Sequence, residues 1–322
     1  MTLLLLLLAC TPKSADDTSG DTADSVAQGD CPAADLFPTV TANAANSDYP
    51  DPSVQVACDG DELVVTSNDI PWFEYVALTP NELTAMSYEW RIPLDPVEAA
   101  EPIALDLLGD DAFALVGLAV NTPNEAAEPE PYGDPVYNDI VDACYGHTGG
   151  DGSYHMHAID VECASMVAPT AGAPSPLVGF ALDGYPIYGP EACLDEACTE
   201  VVTMQSGWVQ TGDPTTYAWD AYAYEGSDAE DVLDQCNGRV EPDGTYAYHA
   251  TATFPYVIGC YHGEVTTGGG QDTGGPPDSG GPPDTGMPPV IDCADAEPGM
   301  PCCGDGVCDG PEDVDNCPED CS

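Results

Sequence analysis

Hydrophobic residues along the chain occur in short runs that alternate with polar residues, and turn-forming residues separate the runs. The stretch VQVACDGDELVVTSND at 54–69 alternates on both sides of an Asp-Gly-Asp turn, which predicts two strands joined as a hairpin. MSYEWRIPL at 86–94 alternates in the same way and predicts a further strand. No long amphipathic helix is indicated, and the best candidate for a short one is 228–235. The pattern therefore predicts a mainly β protein with few short helices.

A stretch of seventeen residues occurs twice without a gap, as DACYGHTGGDGSYHMHA at 142–158 and DQCNGRVEPDGTYAYHA at 234–250. Each copy contains Cys-x-Gly followed by Asp-Gly-x-Tyr, which predicts a hairpin. Two apolar runs, LVGLAVN at 115–121 and LVGFALD at 177–183, also resemble each other. We therefore predict two duplicated modules of strand and hairpin in a β-sandwich-like domain. The identical hairpin positions are Asp142/Asp234, Cys144/Cys236, Gly146/Gly238, Asp151/Asp243, Gly152/Gly244, Tyr154/Tyr246, His157/His249 and Ala158/Ala250.

The two hairpin copies differ at positions that carry chemistry, because His147 aligns with Arg239 and His155 aligns with Ala247. Side chains along a strand alternate between faces, so His155 and His157 are expected to point the same way, about 6.5 to 7 Å apart. Two imidazoles at that separation can share a metal ion, and His147 can face them from the partner strand. We predict a transition-metal site for zinc or copper, with the ligand candidates His147, His155, His157, His249, His262 and Asp183.

A structural role is the alternative for part of this set. His157 and His249 occupy equivalent positions in the two copies, as expected of buried histidines that are hydrogen-bonded into a repeated hairpin. For His147 and His155, the alternative is a solvent-exposed position without a ligand role. The sequence leaves both interpretations open for these four histidines.

Charge is the extreme feature of the composition. The 322 residues include 58 acidic residues and only three basic ones, Lys13, Arg91 and Arg239. A negative field of this size repels phosphate backbones and anionic lipid headgroups, which excludes nucleic-acid binding. The field attracts divalent cations instead, and it fits a saline or calcium-rich exterior where salt screens the self-repulsion.

Cysteine usage and the N-terminal leucine run indicate an extracytoplasmic protein. Residues 1–10, MTLLLLLLAC, are similar to the end of a bacterial lipoprotein signal, and this resemblance implies lipidation of Cys10; an ordinary secretory signal is the alternative. The small, acidic stretch 11–30 then predicts a disordered tether. Without Cys10, eight cysteines lie between Cys31 and Cys260 and six between Cys293 and Cys321. Because each block contains an even number of cysteines, we predict that they form disulfides in an oxidising exterior. The sequence leaves the pairing open.

A Pro/Gly pattern separates a main domain at 31–266 from a small C-terminal unit. DTGGPP, DSGGPP and DTGMPP follow one another within a predicted linker at 267–291. Residues 292–322 contain six cysteines and ten acidic residues and no basic one, so disulfides or metal must hold the unit together. The unit resembles calcium-stabilised cysteine-rich repeats of bacterial surface proteins, and DVDNC is similar to thrombospondin type 3 loops. An acidic disulfide knot without an ion is the alternative; the calcium-ligand candidates are Asp305, Asp309, Asp313 and Asp315.

Several motifs of the main domain resemble the YHYH domain of secreted bacterial and some eukaryotic proteins. They are EWRIPLDP at 89–96, DGS with YHMH at 151–157, LVGFALDGYPIYGP at 177–190 and TFPYVIGCYHG at 253–263. The resemblance covers roughly residues 85–265, and Met156 replaces the third residue of the YHYH motif. It implies an extracytoplasmic domain but no established activity.

Two classes of function remain. The first is a lipoprotein, anchored to the membrane by its lipid alone and facing the periplasm or the cell surface, that binds metal ions or presents a structural or adhesion module. The second is a metal-dependent enzyme that acts on an extracellular substrate, which requires an open coordination position. No Ser-His-Asp order, phosphate-binding glycine loop or His-Glu-x-x-His motif indicates a specific reaction, and no protein or polysaccharide partner is indicated.

Overall fold

The computed structural model describes residues 31–106, 108–125 and 132–265. The described chain is mainly β, which confirms the predicted fold class, and it has one α-helix, α1 (Val161–Ser165), and three short 3-10 helices at Pro32–Leu36, Ala44–Asn46 and Ala218–Ala221. The strands are β1 (Val54–Asp59), β2 (Glu62–Ser67), β3 (Tyr88–Pro93), β4 (Glu98–Ile103), β5 (Asp110–Ala114), β6 (Ala119–Asn121), β7 (Gly146–Thr148), β8 (Tyr154–Met156), β9 (Leu177–Ala181), β10 (Pro186–Tyr188), β11 (Glu191–Cys193), β12 (Val201–Thr203), β13 (Trp208–Gln210), β14 (Tyr222–Tyr224), β15 (Gly238–Val240), β16 (Tyr246–His249) and β17 (Tyr261–Gly263).

A three-stranded antiparallel sheet, β1-β2-β3, forms from the alternating segments near the N-terminus. The predicted hairpin turn lies between β1 and β2, and Gly60 adopts a positive φ of 68° there. Alternate residues of β2 and β3 are buried, and Trp90 is fully covered. Its indole stacks on Phe113 of β5 with ring centroids 4.8 Å apart, so this sheet packs onto the larger one.

The larger sheet has eight strands in the order β15-β16-β10-β9-β5-β6-β8-β7. Its halves have the same connectivity, because β5-β6 and β9-β10 are hairpins, and β6 and β10 run parallel to β8 and β16, the second strands of the repeated hairpins. The antiparallel pair β5-β9 joins the halves. The two modules therefore lie side by side in one sheet, and the sandwich-like layering comes from the three-stranded sheet instead.

The repeat extends beyond the hairpins, in a register that differs from the one the sequence indicated. The structurally equivalent segments are FALVGLAV at 113–120 and FALDGYPI at 180–187, each containing a strand, a turn and a second strand. The turns pass through Gly117 and Gly184 with φ of 76° and 89°. Residues 115–118 thus form a turn and not the predicted strand, since Leu115 and Val116 donate their amide hydrogens outside the β5-β6 pair.

The predicted helix at 228–235 is wrong. The Asp234 carboxylate accepts the backbone N–H groups of Cys236 and Gly238, at 2.9 and 3.0 Å, and forms a turn in place of a helical end. The backbone of Leu233 pairs with that of Gln205. The α-helix α1 forms elsewhere, where the Asp160 side chain caps it by accepting the Cys163 N–H at 3.0 Å.

Four disulfides pair all eight main-domain cysteines, which confirms the disulfide-stabilised prediction. Two of them link equivalent hairpin cysteines, Cys144 and Cys236, to segments that follow each hairpin. Crosslinks of this kind stabilise the fold chiefly by restricting the unfolded chain. The pairs are Cys31–Cys58, Cys144–Cys163, Cys193–Cys198 and Cys236–Cys260.

Within the described ranges, no helix combines the length and the apolar character needed to cross a membrane. The predictions for Cys10, the tether at 11–30, the linker at 267–291 and the acidic unit at 292–322, with its four aspartate candidates, lie outside the described residues.

Candidate metal centre

Both repeated hairpins are held by the same internal frame. In the first hairpin, the Asp142 carboxylate accepts the backbone N–H groups of Cys144 and Gly146 and the phenolic O–H of Tyr154, the last at 2.9 Å. In the second hairpin, Asp234 accepts the phenolic O–H of its equivalent tyrosine at 2.9 Å. The identical Asp, Cys, Gly and Tyr positions of the repeat therefore hold the hairpin shape, whereas His147 and His155, which differ between the copies, are free to contribute to a site.

The first hairpin brings three histidines together. β7 and β8 place His147 directly opposite His155, and His157 follows two residues later on the same face, as predicted. The three ring centroids lie 4.9 to 5.1 Å apart. All three side chains are buried, with exposed fractions of 3, 8 and 1%. Three packed imidazoles in the interior of so acidic a chain require a specific reason.

Backbone carbonyl groups fix the orientation of the rings. His147 Nδ1 lies 2.8 Å from the carbonyl oxygen of Ile140, and His157 Nδ1 lies 2.6 Å from that of Thr122. A carbonyl oxygen only accepts hydrogen bonds, so Nδ1 carries the proton and Nε2 presents its lone pair in the neutral rings. Histidine ligands of metal ions are oriented in this way by a hydrogen bond from the other ring nitrogen.

Glu125 completes the cluster, and no pattern in the sequence identifies it. Its Oε1 lies 3.0 Å from His147 Nε2 and 3.4 Å from His157 Nε2, and the two Nε2 atoms are 3.3 Å apart. Glu125 lies outside the repeated hairpin, so no local spacing connects it with the histidines. Its position follows from topology: β6 runs parallel to β8, so the segment after β6 leaves the sheet beside His157.

Three of the four donor atoms, those of Glu125, His147 and His157, have the separations that a single metal ion requires. One donor atom from each of Glu125, His147, His155 and His157 can be chosen so that all four lie within 4.8 Å of one another. Zinc binds nitrogen and oxygen ligands at about 2.0 to 2.1 Å, so the edge of its coordination tetrahedron is about 3.3 Å. The three separations of 3.0, 3.3 and 3.4 Å match that edge.

Burial and the neighbouring carboxylate set the protonation of the cluster. Burial lowers the pKa of His155 and of His157 to about 3; the charge of His147 lowers both further, and that of His155 also lowers the pKa of His157, so both rings are neutral at pH 7. Burial opposes the charged forms of His147 and Glu125 as well. Their mutual hydrogen bond and attraction outweigh it, so the pKa of His147 is raised and that of Glu125 is lowered. The site therefore favours a positive charge beside Glu125.

The remaining predicted ligands are not brought to this cluster. His249 lies in the second module, where its Nδ1 is 3.0 Å from the Gly189 carbonyl oxygen and its Nε2 is 2.8 Å from Glu241 Oε1. His262 stacks on a tyrosine of β16 with ring centroids 3.5 Å apart. Asp183 accepts the backbone N–H of Gly263 at 2.8 Å and the phenolic O–H of another tyrosine of β16. In the structure, the three residues thus contact groups outside the three-histidine cluster.

A cleft of about 910 Å³ opens beside the cluster. Glu125, His147 and His155 line it, whereas His157 lies behind them. A metal ion bound by the four side chains would thus be reached from one side.

The fold and the site define a disulfide-stabilised, mainly β protein with a three-histidine, one-glutamate cluster in one half of a duplicated sheet. The chain belongs to the YHYH family: the family model described as YHYH protein matches residues 89–263, more than half of the chain. No curated protein and no solved structure matches it. The family and the four disulfides are consistent with an extracytoplasmic protein.

Proposed function

We propose that this protein is an extracytoplasmic metal-binding protein whose first module holds one transition-metal ion through Glu125, His147, His155 and His157. The observation that carries the proposal is the convergence of His147 Nε2, His157 Nε2 and Glu125 Oε1 at separations of 3.0 to 3.4 Å. The orienting hydrogen bonds to backbone carbonyls support it, because they fix the tautomer that a metal ion needs.

The second module provides an internal comparison that supports a cation at this place. There, Arg239 replaces His147, and its Nε lies 3.0 Å from Glu241 Oε1, which also contacts Nε2 of His249 at 2.8 Å. The same Oε1 thus contacts one group from each strand of the hairpin, as Glu125 Oε1 does in the first module. A guanidinium group supplies a fixed positive charge in the second module, so the first module, which has histidines only, is suited to a bound cation.

The donor set favours zinc or copper. Imidazole and carboxylate ligands suit both ions, and a thiolate is absent because the nearby Cys144 is in a disulfide. A thioether ligand is also excluded, since Met156 alternates with the histidines along β8 and is fully buried on the opposite face. Copper selection by sulfur therefore plays no part in this proposal.

The wider proposal places this protein at the outer surface of the bacterial membrane. The leucine run ending at Cys10 supports a lipid anchor, and the acidic cysteine-rich unit at 292–322 supports calcium binding. Mass spectrometry of the membrane fraction should find a diacylglyceryl-modified Cys10 at the N-terminus. A mature chain that starts elsewhere and carries no lipid contradicts the anchor.

Metal analysis of the full chain tests the central proposal. Protein loaded with zinc or copper and then dialysed should retain one ion in the main domain, and His155→Ala or Glu125→Gln should lose it with the fold preserved. His249→Ala, which changes the equivalent structural histidine, is the matched control and should retain the ion. Unchanged metal content in both His147→Ala and His155→Ala contradicts the site.

A metal-dependent enzyme is the second candidate, and the cleft of about 910 Å³ beside the cluster favours it. Catalysis at a metal requires a coordination position that a substrate or a water molecule can occupy. Whether this centre has such a position can be inferred from how the cleft is built.

A further inference from the structure

The cleft exists because the first hairpin lacks side chains where the second has them. Gly149 and Gly150 line the cleft, and the equivalent residues of the second hairpin are Glu241 and Pro242. Glu241 fills the corresponding space and binds Arg239 and His249, as described above. In the first hairpin, a side chain at Gly149 would begin only 3.1 Å from the His155 ring. The two glycines therefore keep one side of the metal centre clear.

The side of the cluster that the two glycines leave open is also the side that faces the cleft. His157 is 1% exposed and does not line the cleft, whereas Glu125, His147 and His155 do. An ion held by these four side chains would accept a fifth ligand from the direction of the cleft. A volume of about 910 Å³ is within the range of small-molecule binding sites.

Apart from the two histidines of the cluster, the described residues that line the cleft carry negative and neutral polar groups, and none of them is a lysine or an arginine. Neither of the two described arginines, Arg91 and Arg239, contributes to it. Hydroxyl and carboxamide groups can both donate to and accept from an uncharged polar ligand, while the carboxylates repel an anion. Besides the proposed metal ligands, the charged and amide side chains that line the cleft are Asp110, Asp139, Asp151, Asn81, Asn121 and Asn124.

We propose that the metal ion of this centre keeps an exchangeable coordination position that faces the cleft, and that uncharged oxygen- or nitrogen-donor molecules occupy it in preference to anions. This inference rests on the proposed metal site and adds to it an external ligand. Glu125 already cancels one charge of a divalent ion, and an uncharged donor is not repelled by Asp110, Asp139 and Asp151, the other carboxylates that line the cleft. An anion must overcome their repulsion, which is weakened by salt.

Cobalt(II) bound to the full chain provides the measurement, because its visible absorption changes with coordination number and ligand type. Imidazole serves as the uncharged probe, 4-phenylimidazole as a bulkier one and azide as the anionic one. Imidazole should change the spectrum in a saturable manner without releasing cobalt. At low salt, azide should bind more weakly than imidazole, and the affinity for azide should rise as salt is added.

Substitution at the mouth of the cleft tests whether external ligands reach the metal ion through the cleft. Gly150 is exposed and has no positive φ, and a Cβ atom at this position would have no neighbouring atom within 4 Å, so the fold should accommodate Gly150→Trp. The substitution should weaken 4-phenylimidazole binding at least several-fold while cobalt remains bound. Pro242→Trp makes the equivalent change in the exposed second hairpin and should leave the affinity unchanged.

Each outcome is informative. A stoichiometric cobalt spectrum that imidazole does not change indicates a closed four-ligand site, which overturns this inference and leaves the metal site standing. Equal effects of Gly150→Trp and Pro242→Trp overturn entry through the cleft. Azide that binds as tightly as imidazole at low salt overturns the preference for uncharged ligands. Absence of cobalt binding overturns the proposed metal site itself.

Discussion

Replacement of Arg239 by methionine should destabilise the protein strongly, because Arg239 supplies the positive charge of the second module. Its guanidinium group contacts Glu241 at 3.0 Å and the Cys193 carbonyl oxygen at 2.9 Å. The exposed fractions of the Arg239 and Glu241 side chains are only 14 and 17%. Arg239→Met leaves the largely buried Glu241 carboxylate without the permanent charge of Arg239 and with His249 as its remaining partner, while the methionine still fills much of the space.

The expected size of the effect follows from that burial. Removing one partner of a buried ion pair costs about 3 to 5 kcal/mol, and the residual exposure of both side chains places this case near the lower end, about 3 kcal/mol. For a domain of this size, such a loss lowers the Tm by about 6 to 12 °C. Arg91→Met is the matched control. Arg91 also contacts carboxylates, those of Asp59, Glu62 and Glu89, but it does so at the surface, so its loss should change stability far less.

Urea unfolding followed by tryptophan fluorescence, with the disulfides kept oxidised, measures both variants. Glu241→Gln combined with Arg239→Met should recover a large part of the lost stability, because the double variant no longer buries an uncompensated carboxylate. Equal losses of the free energy of unfolding in Arg239→Met and Arg91→Met would contradict a buried charge pair at Arg239. A double variant that is no more stable than Arg239→Met would contradict it as well.

Three further predictions concern other groups. Zinc at a hundred times its Kd should raise the free energy of unfolding by about 2.7 kcal/mol, and thermal-shift assays should find this gain lost in His157→Ala and kept in His249→Ala. Burial raises the pKa of Asp110 from 3.8 to about 6. Its favourable contribution to the free energy of unfolding is therefore complete below pH 3.8 and is lost as the pH rises through 6. Asp110→Asn should therefore be more stable than the wild type above pH 6, by up to about 3 kcal/mol, and equal to it below pH 3.8; equal pH profiles of unfolding contradict this. Calorimetry of the full chain should detect saturable calcium binding that decreases in Asp309→Asn and Asp313→Asn, whereas equal weak heats for calcium and magnesium would indicate only a diffuse ion atmosphere.

Local pattern is sufficient to predict β1, β2 and β3 and the shared face of the histidines. The alternation of VQVACDGDELVVTSND and MSYEWRIPL predicts β1, β2 and β3, and strand geometry alone places His155 and His157 on one face. His147 lies beside them because the hairpin pairs its strand with that of His155. Each of these features depends on residues close together in sequence.

The features that the sequence did not reveal depend on how distant segments pair. Glu125 is placed by the parallel pairing of β6 with β8, which no local spacing encodes. The helix predicted at 228–235 fails because Asp234 binds backbone N–H groups of the following turn, which competes with helix formation. The true register of the outer repeat becomes evident only when the turn glycines of both modules are seen in equivalent places.

Duplication explains why one chain contains both a candidate metal centre and a close copy without one. Both modules need a positive charge, because each has a histidine and a glutamate whose Oε1 meets a nitrogen from the opposite strand of its hairpin. In the second module, Arg239 satisfies that need permanently, and Glu241 occupies the place where the first hairpin has Gly149. In the first module, a proton on His147 beside Glu125 or, under the proposed function, a bound ion supplies that charge, and the glycines leave a path to the cluster. Under the proposed function, the second module is a fixed structural half, and the exchange of ions and ligands is confined to the first.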